Sequence, residues 1–97
     1  MPGAMKMVGP VLVKGAVAEA VSAAIDRLNQ GVEVSDRGAY LRISAPGRCV
    51  LTSEAVAAVL GRAFHLPVDL EAVMCSFSGE LSLSHDRAIW YAKDATG

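Results

Sequence analysis

Acidic, basic, phenolic and thiol side chains are concentrated in one stretch of the chain, VEVSDRGAYLRISAPGRCVLTSE, which runs from residue 32 to residue 54. Its reactive members are Asp36, Arg37, Tyr40, Arg42, Arg48, Cys49 and Glu54. Such groups perform general acid–base and nucleophilic catalysis when they converge on a substrate. The stretch is therefore either part of an active site or the polar side of a β-hairpin.

A catalytic thiol would pair Cys49 with a histidine, but the sequence around Cys49 carries no local signature of such a pair. Arg48 would lower the pKa of a thiol beside it, yet neighbouring residues of a strand point to opposite faces. Asp36 lies in the predicted turn itself, which does not favour acid–base chemistry with Tyr40. We keep one enzymatic alternative open, a small cofactor-free isomerase or cyclase with Asp36, Tyr40 and His65 around a pocket.

Metal and phosphate sites have no sequence signature in this chain. Zinc ligands usually occur as pairs at short spacing, whereas no two of the candidate ligands lie within five residues of each other: Cys49, His65, Cys75 and His85. Neither the GxGxxG nor the GxxxxGK[ST] pattern occurs. We therefore expect no catalytic residues, no metal and no other cofactor.

Length and charge restrict the class of protein further. Ninety-seven residues form one domain, and a net charge of −1 with interspersed acids and bases lacks the basic face that nucleic acids or anionic membranes bind. No stretch approaches the ~20 apolar residues of a membrane span. The two cysteines have no framework spacing, so we expect reduced thiols and a cytoplasmic protein.

The first half of the chain predicts a strand, a helix and a hairpin. Residues 8–14 are rich in β-formers, and Pro10 suggests an edge strand or a strand start. Apolar residues recur at helical spacing over 16–29, with Gly31 placed as a left-handed cap. Strands follow, with the turn at Gly38 and with these side chains pointing inward: Val32, Val34, Ala39, Leu41, Ile43 and Val50.

The second half predicts a short strand, a helix and a C-terminal hairpin. After the Pro46-Gly47 break, RCVL forms a strand, and Thr52 caps a helix that ends at Gly61. The apolar stripe of that helix is Val56, Val59 and Leu60. A loop with one helical turn follows, anchored by Phe64, Leu66 and Leu70, and GELSLS and RAIWYA then alternate as two strands.

This order predicts an α+β fold, a two-layer domain built from two β-α-(β)-β units with antiparallel hairpins. The single domain spans residues 1–97, with a flexible arm over 1–7 and a flexible tail over 93–97. The link Met74–Ser78 mixes apolar and small hydroxyl residues. It is either an ordinary strand entry or a surface that contacts a partner, where such residues are favoured.

Four segments occur together in this order: VGPVLVKGAVAEAVSAAI, VEVSDRGAYLRISAPGRCVLT, LGRAFHLPVDLE and SFSGELSLSHDRAIWY. Over residues 8–92 the chain thereby resembles the effector (coupling, or regulatory) proteins of soluble diiron monooxygenases, which accompany methane, phenol, toluene and alkene hydroxylases. The family fold, a pair of β-α-(β)-β units, agrees with the element order. The absence of the long terminal extensions of methane-type effectors places this chain nearer the aromatic or alkene branch.

The resemblance implies a protein with no cofactor and no catalysis of its own. Such a protein, a monomer when free, docks on the α subunit of the hydroxylase and adjusts the activity, coupling and selectivity of its diiron centre. The matching positions make these residues candidates for partner binding: Asp36, Arg37, Tyr40, Met74, Cys75, Ser76, Phe77, Ser78 and Gly79. Methane-type members have small polar residues where this chain has Cys75 and Phe77. Hairpin integrity is the other role open to Asp36, Arg37 and Tyr40, and a ferredoxin-like small-ligand sensor is the other non-enzymatic alternative.

Overall fold

The computed structural model describes residues 6–92 of the chain, so most of the predicted arm over 1–7 and the whole predicted tail over 93–97 lie outside the described residues. Met7, the last residue of that arm, already belongs to the first strand. The elements are β1 (Met7–Val13), α1 (Ala16–Leu28), β2 (Glu33–Asp36), β3 (Tyr40–Pro46), β4 (Arg48–Thr52), α2 (Ser53–Leu60), α3 (Val68–Glu71), β5 (Met74–Ser78), β6 (Glu80–Leu83) and β7 (Arg87–Tyr91).

The strands form two antiparallel sheets that share one core with the helices, which confirms the predicted α+β fold. The four-stranded sheet has the order β2-β3-β1-β5, and the three-stranded sheet has the order β4-β7-β6. Ile25 of α1, Val56 of α2, Leu12 of β1 and Trp90 of β7 are all fully buried in one hydrophobic cluster. The helices therefore cover the inner faces of both sheets.

The four-stranded sheet contains a strand that the sequence did not predict. Met74–Ser78, expected as a link, is strand β5, and it pairs antiparallel with β1 at the sheet edge. This strand lacks the alternation of buried and exposed residues by which a strand is predicted from sequence. Its three middle residues are all exposed. The second unit thus contributes one strand to the sheet of the first, which joins the two units.

The interior position of β1 contradicts the expectation that Pro10 marks an edge strand or a strand start. β1 lies between β3 and β5, and its recorded pairs with β3 stand on either side of Gly9 and Pro10, at Val8–Ala45 and Val11–Arg42. Proline cannot donate to the ladder. Gly9 has a φ of 151° and brings the backbone against the carbonyl of Ile43, where a Cβ would clash. This irregular segment accommodates the missing donor inside the sheet.

The cap of α1 also differs from the prediction. The helix ends at Asn29, whose backbone is extended and donates to the carbonyl of Ile25, and Gly31 takes its left-handed φ of 71° only after the helix has ended. Asn29 fulfils the capping role because its side-chain amide also donates to that carbonyl, at 2.8 Å. An asparagine side chain that bonds to backbone is a local alternative to a glycine cap.

Both predicted ends of α2 are confirmed. The hydroxyl of Thr52 accepts a hydrogen bond from the Ala55 amide at 3.2 Å, and Gly61 caps the helix in the left-handed conformation. The predicted apolar stripe is wrong at Val59, which is 41% exposed, whereas Val56 is fully buried. One side of this short helix faces solvent because the core cluster lies beneath Val56.

Three of the six residues predicted to point inward between positions 32 and 50 are not in the core. Val34 is on the same side of the sheet as Ile43, but it is 49% exposed because β2 is an edge strand. Ala39 lies exposed in the hairpin turn. Val50 is only half-buried because the register of β4 turns its neighbours Cys49 and Leu51 to the core instead.

Candidate interaction surface

The turn between β2 and β3 is organised around the carboxylate of Asp36. One oxygen accepts a hydrogen bond from the Gly38 amide at 2.9 Å, and the other pairs with the Lys14 ammonium at 2.6 Å. The bond from Lys14, followed by the bond from Gly38, lowers the pKa of Asp36. Gly38 has a φ of 85°, as the turn requires. Asp36 therefore ties the hairpin to the end of β1.

The backbone of the same turn is closed by Arg37 and Tyr40. The Arg37 amide donates to the Tyr40 carbonyl at 2.9 Å, and the Lys14 amide donates to the Ala39 carbonyl at 3.0 Å. The side chains of Arg37 and Tyr40 remain exposed. These two side chains are thus available to a partner, while their backbone maintains the hairpin.

The face of the four-stranded sheet that points away from the helices brings the two predicted segments together. In register across the sheet, Tyr40 pairs with Val13, Arg42 pairs with Val11, and Val11 pairs with Ser76. Paired residues of adjacent strands share a face. We call this surface the outer face; it comprises Val11, Val13, Tyr40, Arg42, Ser76 and Ser78.

Three members of the outer face, Val11, Val13 and Arg42, were not among the partner-binding residues predicted from the sequence. Val13 is 51% exposed and Arg42 is exposed on the strand that carries Tyr40. The alternation in YLRIS places Arg42 on the same side as Tyr40, so that signal was present in the sequence. The pairing of Val13 with Tyr40 depends on strand order, which local patterns do not reveal.

The predicted segment Met74–Gly79 does not form one continuous surface. Ser76 and Ser78 lie on the outer face, whereas Phe77 pairs with Pro10 on the opposite side. Phe77 is nevertheless 42% exposed because β5 is the edge strand. Met74 is half-buried against the core. A partner that covers this edge would contact side chains from both faces of β5.

Cys75 occupies an irregular position of β5. The register between β1 and β5 shifts between the pairs Val11–Ser76 and Leu12–Met74, which leaves Cys75 as the extra residue. Its thiol donates to the Val11 carbonyl at 3.4 Å. Bulges re-aim side chains at sheet edges, and here the result is an exposed cysteine beside the outer face.

Gly79 serves the fold. Its φ is 91°, and a Cβ at this position would lie 2.7 Å from both the Tyr91 carbonyl oxygen and a methyl group of Val8. Only glycine fits such an approach between the two sheets. The chain therefore passes from β5 to β6 through a position that has no room for a side chain.

The groups named for the enzymatic alternative are not assembled around either of two surface cavities. The larger cavity, of about 480 Å³, is lined by Lys6, Met7, Ser78, Gly79 and Glu80. The other, of about 320 Å³, lies between α1 and α2 and includes Arg27, Leu28 and Glu54. Asp36, Tyr40 and His65 line neither of them.

The remaining reactive groups are separated as well. Cys49 is fully buried, and burial raises the pKa of its thiol to about 12, while its neighbour Arg48 is exposed, as the strand alternation predicted. Across residues 6–92, no three His, Cys, Asp or Glu side chains are grouped in a way that could hold a metal ion. Within the same range, no helix is long and apolar enough to cross a membrane.

Comparison with known proteins gives consistent matches along nearly the whole chain. The MmoB/DmpM family matches residues 6–91. The effector subunit of the alkene monooxygenase system of Xanthobacter autotrophicus is 42% identical over 89 residues, which cover 90% of this chain and 87% of that relative.

Two solved structures of the phenol hydroxylase–regulatory protein complex contain a chain with the same fold. One superposes with a TM-score of 0.79 at 22% identity and covers 89% of this chain and 98% of that chain. The other superposes with a TM-score of 0.74 at 23% identity and covers 89% of this chain and 99% of that chain.

Proposed function

The chain belongs to the MmoB/DmpM family, and from that premise we propose that it is the non-catalytic effector of a multicomponent diiron monooxygenase. It binds the hydroxylase component of that system and tunes its activity, coupling and selectivity. The observation that carries this proposal is the 42% identity to an alkene monooxygenase effector subunit over nearly the full length of both chains. The fold shared with the two chains from phenol hydroxylase–regulatory protein complexes is consistent with it.

The proposed docking surface is the outer face together with the free edge of β5. Tyr40, Cys75, Ser76, Phe77 and Ser78 contact the hydroxylase directly, and they are exposed or half-buried. Tyrosine and phenylalanine supply large contact areas with few rotatable bonds, which is why aromatic residues are enriched at interfaces. Arg37 contributes at the rim of the surface.

The other candidate residues maintain the conformation of that surface. Asp36 fixes the hairpin that carries Tyr40, through its bonds to Lys14 and Gly38. Met74 anchors the start of β5 on the core, and Gly79 allows the close approach at its end. These three residues therefore act on binding through the shape of the surface.

Regulation by such a protein requires only that it bind two conformations of the hydroxylase with different affinity. The bound complex then populates the conformation that the effector prefers, and substrate or oxygen reactivity changes with it. No group of this chain has to enter the reaction. The proposed setting is the cytoplasm, where Cys75 stays reduced and the free effector is a monomer.

Binding to the cognate hydroxylase tests this proposal. The purified effector and the purified hydroxylase, which contains its α subunit at natural stoichiometry, are mixed. Interferometry or calorimetry should show saturable binding. A hydroxylase from an unrelated diiron system serves as the control for nonspecific association. Absence of saturable binding to the cognate hydroxylase would contradict the assignment.

A further inference from the structure

The side chain of Arg42 on the outer face crosses an entire strand. Arg42 belongs to β3 and Ser78 to β5, with β1 between them. A guanidinium nitrogen of Arg42 nevertheless donates to the Ser78 hydroxyl at 3.4 Å. Strands are about 4.8 Å apart, so the side chain reaches across about 10 Å of sheet.

β1, the strand that the Arg42 side chain crosses, leaves room for that side chain. Gly9, the register partner of Ser78, has no side chain. Val11, the register partner of Arg42, is only 8% exposed although it is on the outer face. Long arginine stems commonly cover apolar neighbours while the charged group stays accessible. The guanidinium is therefore held in one region of the face rather than free to sweep through solvent.

Arg42 forms no ion pair with any residue that the structure describes. The ion pair found among these residues joins Lys14 to Asp36, and Arg42 has only the long bond to a neutral hydroxyl. A guanidinium has five N–H donors in a planar fork that matches a carboxylate bidentately. Two apolar side chains on the same face are well exposed, Val13 at 51% and Tyr40 at 41%.

We propose that Arg42 binds a carboxylate of the hydroxylase component, an aspartate or glutamate flanked by apolar side chains that cover Val13 and Tyr40. This inference rests on the proposed function and names the chemistry of the partner surface. A positioned arginine beside exposed tyrosine and valine has the composition of an interface hot spot. Because Ser78 already orients the guanidinium, less conformational freedom is lost when the pair forms. Besides its own contact with the hydroxylase, Ser78 thus positions Arg42.

The experiment measures the affinity of effector variants for the cognate hydroxylase at low and high ionic strength. Arg42→Gln removes the charge, Arg42→Lys keeps the charge without the planar fork, and Ser78→Ala removes the positioning bond. Arg48→Gln is the matched control, since Arg48 is also exposed on a strand but belongs to the three-stranded sheet. Circular dichroism melts confirm that each variant is folded.

We expect Arg42→Gln to weaken binding about 30-fold or more, the loss typical of removing one partner of a desolvated charge pair. Arg42→Lys should recover part of that loss. Ser78→Ala should weaken binding by roughly a few-fold. Arg48→Gln should bind as the wild type does. The loss in Arg42→Gln should persist at high ionic strength, because buried pairs are screened less than exposed ones.

Two results would overturn the inference. One is unchanged affinity in Arg42→Gln, and the other is an equal loss in Arg42→Gln and Arg48→Gln, which would indicate general charge attraction. In both cases the wild-type protein still binds the hydroxylase, so the proposed function stands. Wild-type protein that does not bind the hydroxylase contradicts the proposed function itself.

Discussion

The side-chain amide of Asn29 pairs with both backbone groups of Val50. The oxygen of the amide accepts from the Val50 N–H at 2.9 Å, and the nitrogen donates to the Val50 carbonyl at 2.9 Å. The same nitrogen donates to the Ile25 carbonyl within α1. One side chain thus ends the helix and fastens it to the edge strand of the three-stranded sheet.

Asn29→Asp should destabilise the fold strongly although it replaces only the side-chain NH₂ group with an oxygen. The carboxylate cannot donate, so the Val50 carbonyl loses its bond from Asn29 and the Ile25 carbonyl keeps only the bond from the Asn29 backbone N–H. Both carbonyl oxygens then face a negative charge. We expect the free energy of unfolding to decrease by about 2–3 kcal/mol, measured by urea denaturation.

Gln30→Glu is the matched control for that variant. It makes the same change of charge one residue later, at an exposed side chain beyond the same helix end. Its free energy of unfolding should change by about 0.5 kcal/mol or less. If the two variants are equally stable, the pairing between Asn29 and Val50 does not hold α1 in place.

Gly79→Ala should be more damaging than Gly38→Ala although both residues have a positive φ. Gly38 has open space where a Cβ would be, so alanine there costs only the backbone term, about 1–2 kcal/mol. Alanine at position 79 would also clash with Tyr91 and Val8, which should lower the free energy of unfolding by about 1–3 kcal/mol more. Urea denaturation of both variants measures the difference. Equal losses would show that the approach at Gly79 relaxes freely.

Much of the fold could be predicted because local patterns carry it. The helical spacing of α1, the Thr52 and Gly61 caps of α2 and the alternation of the last hairpin all act over a few residues, and the structure has each of them. Strand β5 was missed because its identity depends on pairing with β1, more than sixty residues earlier in the chain.

The candidate surface was predictable only in part, for the same reason. The segments around Tyr40 and Ser76 could be selected by resemblance, but their meeting on one face depends on β1 lying between β3 and β5. Arg42 has no local signal beyond its place in an alternating strand. The bond from Arg42 to Ser78, 36 positions away, follows from the sheet order alone.

The two cysteines should differ in reactivity. Cys75 is exposed, whereas Cys49 is fully buried with a pKa raised to about 12. Because the thiolate is the reactive form, a thiol reagent at roughly pH 8, near the ordinary thiol pKa, should modify one cysteine in the folded protein. Unfolding should expose the second. Rapid modification of both in the folded state would contradict the burial of Cys49.

The raised pKa of Cys49 also predicts a loss of stability at alkaline pH. In the unfolded chain the thiol begins to ionise near its ordinary pKa of 9.0, whereas the folded thiol keeps its proton up to about 12. The unfolded state therefore gains stability over this range, and the free energy of unfolding falls as pH rises. Cys49→Ala should show a shallower decline than the wild type. Parallel profiles would show that Cys49 ionises equally in both states.

Alanine variants of the two phenylalanines distinguish a residue of the docking surface from a residue of the core. Phe77 is 42% exposed and Phe64 is 4% exposed. Phe77→Ala should leave the domain folded but weaken its effect on the hydroxylase, whereas Phe64→Ala should cost about 3–5 kcal/mol of stability. Thermal melts and hydroxylase turnover distinguish these outcomes. If Phe77→Ala unfolds the domain, Phe77 belongs to the core and not to the docking surface.

The most direct test of the central claim is to titrate the protein into its cognate hydroxylase and reductase while following turnover and the coupling of reductant consumption to product. If the protein is the effector, turnover rises and levels off near one effector per hydroxylase active site, and the coupling or the product distribution shifts with it. A titration that changes neither the rate, nor the coupling, nor the product distribution would contradict the account.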